Sequence, residues 1–337
     1  VKEEVLKLLK ESGNEFISGE NLSKQFGISR AAIWKYIKVL KEDGYNIESV
    51  SRKGYRILSS PDVLTYEEIE ASLKTKYIGR KIFHFDVIGS TNTKAKEIAS
   101  LTMQKYNDLD NGTIVISEGQ TAGKGRLGRV WESPTGKGIW FSIILKPDIS
   151  PLKVSNITII GASAVNLALK EMGVESYIKW PNDIIIENKK VCGILTEMSA
   201  ELDLVNYIVM GIGINVNIEK DDFPKELKNK ATSLKAVYGK EFNRKKLLAS
   251  ILNNFEELYD NYIKNDLLEP CIKICRDKSI LIGKEVFIEQ RNKKYKVRVL
   301  DINNDGALVI QKEDGNLEEV ISGEVSMHGL YGYMEDK

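Results

Sequence analysis

The sequence is short of the residues on which much catalytic and structural chemistry depends. Three cysteines in 337 residues cannot build a disulfide framework, and the odd count fits a reducing compartment. Cys271 and Cys275 lie four apart on a stretch that reads as a helix. No His or Cys partner follows at zinc spacing, so two packed core thiols are expected rather than a shared metal. Only His84 and His328 are present, which argues against a histidine-rich metal site. Long apolar runs are missing too. The least polar stretch, Ile157 to Leu169, is interrupted by Thr158, Ser163 and Asn166, too short and too polar to span a bilayer. The opening Val1-Lys2-Glu3-Glu4-Val5 has no apolar signal region, so a cytoplasmic protein without a membrane partner is expected. There is no excess of one charge: 49 Lys and Arg stand against 48 Asp and Glu. A nucleic-acid partner would have to be met by a local patch.

What is present is an ordinary globular balance, 42% hydrophobic and 29% charged, in a length that predicts two or three domains. Composition shifts at Ser59-Ser60-Pro61-Asp62 and again near Asp277. The expected parts are 1–60, 65–275 and 277–337. In the middle part, Gly112 to Ser117, Ile139 to Leu145, Tyr177 to Trp180, Ile184 to Glu187, Val191 to Glu197 and Leu204 to Asn217 read as strands. Ile157 to Met172 reads as a buried helix stopped by Gly173. A long amphipathic helix carries Leu247, Leu248, Ile251, Leu252, Phe255, Leu258, Tyr259 and Tyr262. The fold class is α+β with a mixed, largely antiparallel sheet. Four short alternating strands from Glu285 to Ile321 predict a small terminal β-barrel.

The first 60 residues read as helix, helix, glycine turn at Gly27, then a helix capped by Ser29, with the helix-turn-helix at about 19–38. Ile33, Ile37 and Leu40 share a core face; at about 100° per residue Ala31, Trp34, Lys35 and Lys38 point the other way. A hairpin follows, tipped by Ser51-Arg52-Lys53-Gly54, the wing of a winged helix. Residues 1–58 hold 11 Lys or Arg against 8 Asp or Glu. A protein-binding module with a solvated basic face would look similar. The agreement of turn, outward face and basic wing favours DNA, with Ser29, Arg30, Ala31, Trp34, Lys35, Lys38, Arg52 and Lys53 as contacts.

After the strand ending near Ser117 comes Gln120-Thr121-Ala122-Gly123-Lys124-Gly125-Arg126-Leu127-Gly128-Arg129-Val130-Trp131. Gly123, Gly125 and Gly128 match G-x-G-x-x-G, but the following Glu132-Ser133-Pro134-Thr135-Gly136 cannot open the helix that a dinucleotide fold needs. A P-loop ending is absent as well. What remains is a glycine-rich, mobile loop with Lys124, Arg126 and Arg129, suited to a polyphosphate whose charge grows in the transition state. A flexible basic surface loop is the bland alternative. Ser90-Thr91-Asn92 precedes a helix and reads first as ordinary caps, although the same groups could meet a polar ring. Lys179 enters a turn, Lys179-Trp180-Pro181-Asn182-Asp183, where it is either solvated or set against a carboxylate or phosphate. Gly211-Ile212-Gly213-Ile214-Asn215-Val216-Asn217 is a glycine-spaced strand that something approaches closely.

Taken together in order, these pieces resemble the biotin protein ligase family, and with the winged helix its bifunctional ligase and biotin-operon repressor type. The resemblance runs from Gly89-Ser90-Thr91-Asn92 through the loop Gln120 to Trp131, Lys179 to Asp183, Gly193-Ile194-Leu195 with Glu197, and Gly211 to Asn217, to Ser322-Gly323-Glu324-Val325-Ser326. It covers nearly the whole chain. Lys124 stands where the family usually has Arg, which keeps the charge and loses the bidentate fork.

The resemblance implies a class II synthetase-like catalytic domain and an SH3-like terminal barrel. It implies an adenylate-forming biotin–[acetyl-CoA-carboxylase] ligase that uses biotin and ATP with Mg2+. The biotin carboxylate attacks the α-phosphate of ATP, and a lysine of the biotin carboxyl carrier protein then takes the acyl group. No Ser-His or Cys-His pair is required, and none is apparent. Biotin would be bound by Ser90, Thr91, Asn92, Gln120, Lys124, Gly125, Arg126 and Lys179. Gly123, Arg129, Trp131 and Asn215 would meet ATP or the adenylate. Lys179, Arg126 and Lys124 would carry the chemistry, while the metal ligands stay unnamed. Operator DNA and a homodimer in the adenylate-bound state follow from the repressor type. The alternatives are a lipoate-type ligase and a biotin-sensing transcription factor without turnover.

Overall fold

The computed structural model describes residues 1–106, 110–201, 204–290, 293–321 and 324–326. The chain separates into two compact units, Val1–Ala71 and Ser72–Lys337. In the first, α1 (Lys2–Glu11), α2 (Gly19–Phe26) and α3 (Arg30–Glu42) precede the hairpin β1 (Asn46–Val50) and β2 (Gly54–Ser59), and α4 (Tyr66–Ile69) follows. The Ser18 and Ser29 side chains accept from Asn21 N and Ala32 N, and Gly27 at φ 64 turns the chain between α2 and α3. Val5, Leu6, Leu9, Leu22, Ile33, Ile37, Leu40, Tyr45 and Ile47 form its core. That face repeats at helical spacing, as the sequence pattern requires. The unit runs past the serine-proline shift because Tyr45 Oη donates to Glu68 at 2.7 Å, which ties α4 to the core.

The second unit centres on a seven-stranded sheet. Its strands are β3 (Ile82–Ile88), β4 (Thr113–Gln120), β5 (Gly138–Leu145), β6 (Tyr177–Lys179), β7 (Asp183–Ile186), β8 (Lys189–Glu201) and β9 (Leu204–Asn215), in the order β3-β4-β5-β9-β8-β7-β6. Only β3 and β4 run parallel among these pairs; the rest are antiparallel. The helices α5 (Thr91–Tyr106) and α6 (Val154–Glu171) cover opposite faces. Residue alternation along β9 decides this. Val209 packs with Ala95 and Ala99 of α5, whereas Met210 lies against Gly161 of α6.

Residues Pro151–Glu171 are by length and composition able to cross a bilayer, a longer stretch than the sequence pattern suggested, yet 78% of the apolar window is buried inside the fold. The extra length comes from a turn that Ser150 caps ahead of α6. It is a core helix, packed on α8 (Arg244–Asn265), which follows the short α7 (Leu234–Tyr238). Arg244, fully buried, donates to Glu118 Oε2 and Gly138 O and so pins the start of α8 to β4 and β5. Such a charge is tolerated inside only because it is paired.

On α9 (Glu269–Asp277), Cys271 and Cys275 are buried free thiols, and burial pushes them up to about 12 and about 11. They are packing residues, inert as nucleophiles. The terminal strands β10 (Glu285–Gln290), β11 (Lys293–Ile302), β12 (Leu308–Lys312), β13 (Leu317–Val320) and β14 (Glu324–Ser326) form one antiparallel sheet in the order β13-β12-β11-β10-β14. Ser322 and Gly323 of the terminal motif, and His328, lie outside the described residues.

Candidate functional site

On the α5 side of the sheet the second unit holds a cavity of about 600 Å³. Its floor follows from the alternation that seats α5. Continuing along β9, the residues on that face after Val209 are Gly211 and Gly213, and Gly193 pairs with Gly213 from β8. The glycine-spaced strand is approached closely, as its pattern predicts. It is the protein's own side chains that approach. A Cβ on Gly211 would stand 1.9 Å from Asn92 Oδ1, and one on Gly213 2.5 Å from Trp131 Nε1.

Ser90, Thr91 and Asn92 are buried at the start of α5, and the last two are not caps. Instead Gln120 caps the helix from β4, its Oε1 accepting from Thr91 N at 2.8 Å. Ser142 Oγ reaches both Thr91 Oγ1 (2.8 Å) and Asn92 Oδ1 (2.6 Å). Asn92 Nδ2 donates to Leu195 O (3.2 Å) and Glu197 Oε2 (2.8 Å). Both amide hydrogens are then used and the oxygen accepts from Ser142, so the side chain is locked in one orientation. Glu197 in turn takes Lys96 Nζ at 2.6 Å. Burial alone would raise the Glu197 carboxyl. The hydrogen bonds from Lys96 and Asn92, with the charges of Lys96 and Lys124, outweigh it and hold the pKa below its ordinary value.

The glycine–basic loop folds as a small hairpin over the sheet. Gln120 pairs with Ser133, Trp131 N donates to Gly123 O (2.9 Å), and Gly125 N donates to Arg129 O (2.7 Å). Leu127 at φ 54 and Gly128 at φ 75 turn its tip. Gly123 is needed by this pairing, since a Cβ there would stand 2.3 Å from Trp131 O. It belongs to the paired backbone of the hairpin and is not part of the cavity wall. Lys124, Gly125, Arg126, Arg129 and Trp131 do line the cavity, as do Lys179 and Asn215. Arg126 Nη1 donates to Asn182 Oδ1 at 3.0 Å, which joins the hairpin to the turn after Lys179. Trp131 lies on the glycine floor with Lys190 Nζ 5.2 Å from its ring centre. Its Nε1 is buried without a hydrogen-bond partner. Trp140, Ile218 and Phe223 pack beside it. Asn215 Nδ2 donates to Thr232 O (3.0 Å) and closes the segment that roofs this end.

Sequence reasoning missed Ser142, Lys96 and Lys190. Ser142 carried a readable signal, the lone polar residue in the apolar run Ile139 to Leu145. The other two are paired by the fold alone. Among the described residues no group of three or more His, Cys, Asp or Glu gathers as a metal site. In the first unit, Ser29, Arg30, Ala31, Trp34, Lys35, Lys38, Arg52 and Lys53 are all exposed, with Trp34 56% so. Lys53 Nζ and the Arg56 guanidinium lie over the Phe16 ring, at 5.8 and 4.6 Å, which braces the wing.

Residues 84–215 match the Biotin/lipoate A/B protein ligase family, residues 1–56 an HTH domain, and residues 281–328 the Biotin protein ligase C terminal domain. The bifunctional ligase/repressor BirA of Bacillus subtilis is 38% identical over 97% of this chain and 98% of its own. The protein of that name from Escherichia coli is 28% identical over 94% of each chain. Among solved structures, the biotin protein ligase of Aquifex aeolicus in complex with biotin and ATP is similar. It matches with a TM-score of 0.62 at 27% identity, over 73% of this chain and 98% of its own.

Proposed function

The chain belongs to the biotin protein ligase family, of the bifunctional ligase/repressor type, and on that footing we propose how its cavity and its winged helix divide the work. It is an ATP-dependent biotin ligase with a DNA-binding repressor unit; biotin and ATP are its substrates and biotin carrier protein receives the product. The observation that carries the residue assignment is one cavity with three unlike regions. A polar nest of buried Ser90, Thr91 and Asn92 with half-buried Gln120 suits the ureido ring. A cationic middle at Lys124, Arg126 and Lys179 suits a carboxylate meeting a phosphate. An aromatic end at Trp131 suits adenine.

In this reading Lys179 draws the biotin carboxylate and the α-phosphate together, which lowers their repulsion as the new P–O bond forms and pyrophosphate leaves. Arg126 and Gly125 hold the adenylate, Lys124 sits between the nest and the phosphate, and Arg129 serves the pyrophosphate. Asn215 supports the adenine end from behind. Gly123 acts through the hairpin. Mg2+ would arrive with the ATP phosphates, which supply oxygen ligands themselves. The buried, free thiols support a cytoplasmic setting.

One recognition helix and one wing serve a single half-site, so tight operator binding calls for a homodimer, with the adenylate as corepressor. The DNA-binding domain then runs to about residue 71, because α4 is tied to its core, with the catalytic domain to about 275 and the terminal domain from 277. The relatives matched over almost the whole chain are ligase/repressors, which leaves the lipoate-type and non-catalytic alternatives unsupported. The test is to supply biotin, ATP and a carrier domain and to look for biotin on the carrier lysine, while titrating operator DNA with and without biotin plus ATP. Labelling and a rise in operator affinity with adenylate are expected. An unlabelled carrier, or superimposable titrations, would refute the corresponding half.

A further inference from the structure

Lys179 is flanked on both sides by residues bonded to the C-terminal segment. Before it, Ile178 N donates to Lys278 O (2.8 Å) and Ile280 N donates to Ile178 O (3.2 Å). After it, the buried Trp180 indole donates from Nε1 to Gly306 O at 2.9 Å. Gly306 lies in the turn between β11 and β12, far along the chain. That turn is itself held firmly. Asn303 Oδ1 accepts from Asp305 N and Ala307 N, and Gly306 N donates to Asn303 O. Gly306 has φ +84, and a Cβ there would come 2.5 Å from Ile159 Cδ1 of α6. The turn is therefore wedged against the core helix, and Trp180 hangs from it. Phe287 of β10 reaches the same cavity wall.

We propose that Trp180 is a positioning residue, whose indole N–H, anchored on Gly306, fixes the strand end that presents Lys179 to the reacting groups. The proposal rests on the ligase reading of the cavity. A cation on a long stem gains rate only where its ammonium is held in place, because small displacements of a preorganised group cost much of its effect. Register with Asp183 fixes one side of the short β6, the segment 278–280 pairs along the other, and the Gly306 turn of the terminal sheet holds the residue that follows it. The terminal sheet is thus part of what places the lysine.

The test is a double-mutant cycle in the full chain, read as biotin-dependent pyrophosphate release. Trp180→Phe keeps an aromatic ring and removes the donor. It should lower kcat about tenfold, the usual consequence of losing one buried hydrogen bond, with the biotin KM within about twofold. In a Lys179→Ala background the same change should cost nothing further, because it acts through the lysine. Asn303→Ala, which loosens the turn that presents Gly306 O without adding a methyl against the core helix, should give the same pattern from the other side of the bond, and it decides the matter if Trp180→Phe fails to fold by thermal unfolding. Equal losses with and without Lys179 overturn the inference, as does unchanged kcat in both folded variants. An unaltered chain that releases no pyrophosphate with biotin overturns the ligase reading, and this inference with it.

Discussion

At one end of the cavity Thr91 and Asn92 are buried and Gln120 half-buried, and the three are bonded to Ser142, Leu195 O, Glu197 and Ser133. At the other, the hairpin tip leaves Leu127 77% and Val130 70% exposed, with the cations beside them. The first end is finished before any ligand arrives. Its polar groups hold one another, so little ordering is left to do and the shape of the nest can discriminate. The second end has its backbone folded but its surface open, and ordering there is left to the ligand. Selection and chemistry are thus placed on regions of different stiffness. A rigid nest suits a small neutral ring, whereas phosphates that come and go need a wall that can yield.

Lys179→Ala should have the largest effect, since it removes the cation between the two regions. Adenylate formation, followed as pyrophosphate release, should fall by about 10²–10³ with an unchanged unfolding transition. Next is Gly211→Ala, which breaks the stiff end, because the added methyl takes the place of Asn92 Oδ1. The biotin KM should rise about ten- to a hundredfold while the ATP KM stays near that of the unaltered chain. A rise in both would mean that the nest is not a separate region.

Arg126→Ala probes the open end. Dissociation of the adenylate should quicken about tenfold while that of free biotin hardly changes, because biotin lacks the phosphate. Matched changes would erase the contrast. Lys96→Met is the mildest. The Glu197 carboxyl is held below its ordinary 4.5, so the pair stabilises the fold fully above that value. Its contribution fades as pH falls through the depressed value. The stability gap between the two proteins should be flat near neutrality and close in acid, as thermal melts across pH would reveal.

Much of the fold could be read from the sequence because it is written in local patterns. Ser18, Gly27 and Ser29 mark the helix-turn-helix, and Ile33, Ile37 and Leu40 mark its core face. The strands of the central sheet follow apolar runs between turns. The strand Ile82–Ile88 was not anticipated. It is an edge strand in which none of the residues is fully buried and Asp86 and Val87 are exposed, so its alternation is weak. The site was legible in its members and not in its reasons. Gly211 and Gly213 announced a close approach, but nothing local says that Asn92 and Trp131 are what approaches. Gly123 looks like a ligand glycine and is a hairpin glycine. Trp180 and Gly306 stand 126 positions apart, and only the assembled unit makes them neighbours.

The alternation along β9 bears on how this protein tolerates mutation. Met210 faces the core helix and Ile208, Ile212 and Ile214 share its side of the strand, while Val209 packs on α5 and Gly211 and Gly213 form the cavity floor. Substitutions at even positions should register as lost soluble yield, and those at 211 and 213 as lost turnover in protein that still accumulates. A saturation library across the strand, scored separately for abundance and for labelling, would then resolve into two interleaved combs. The sequence can drift in how firmly it folds or in what it accepts, one tooth at a time, with neither property dragging the other along.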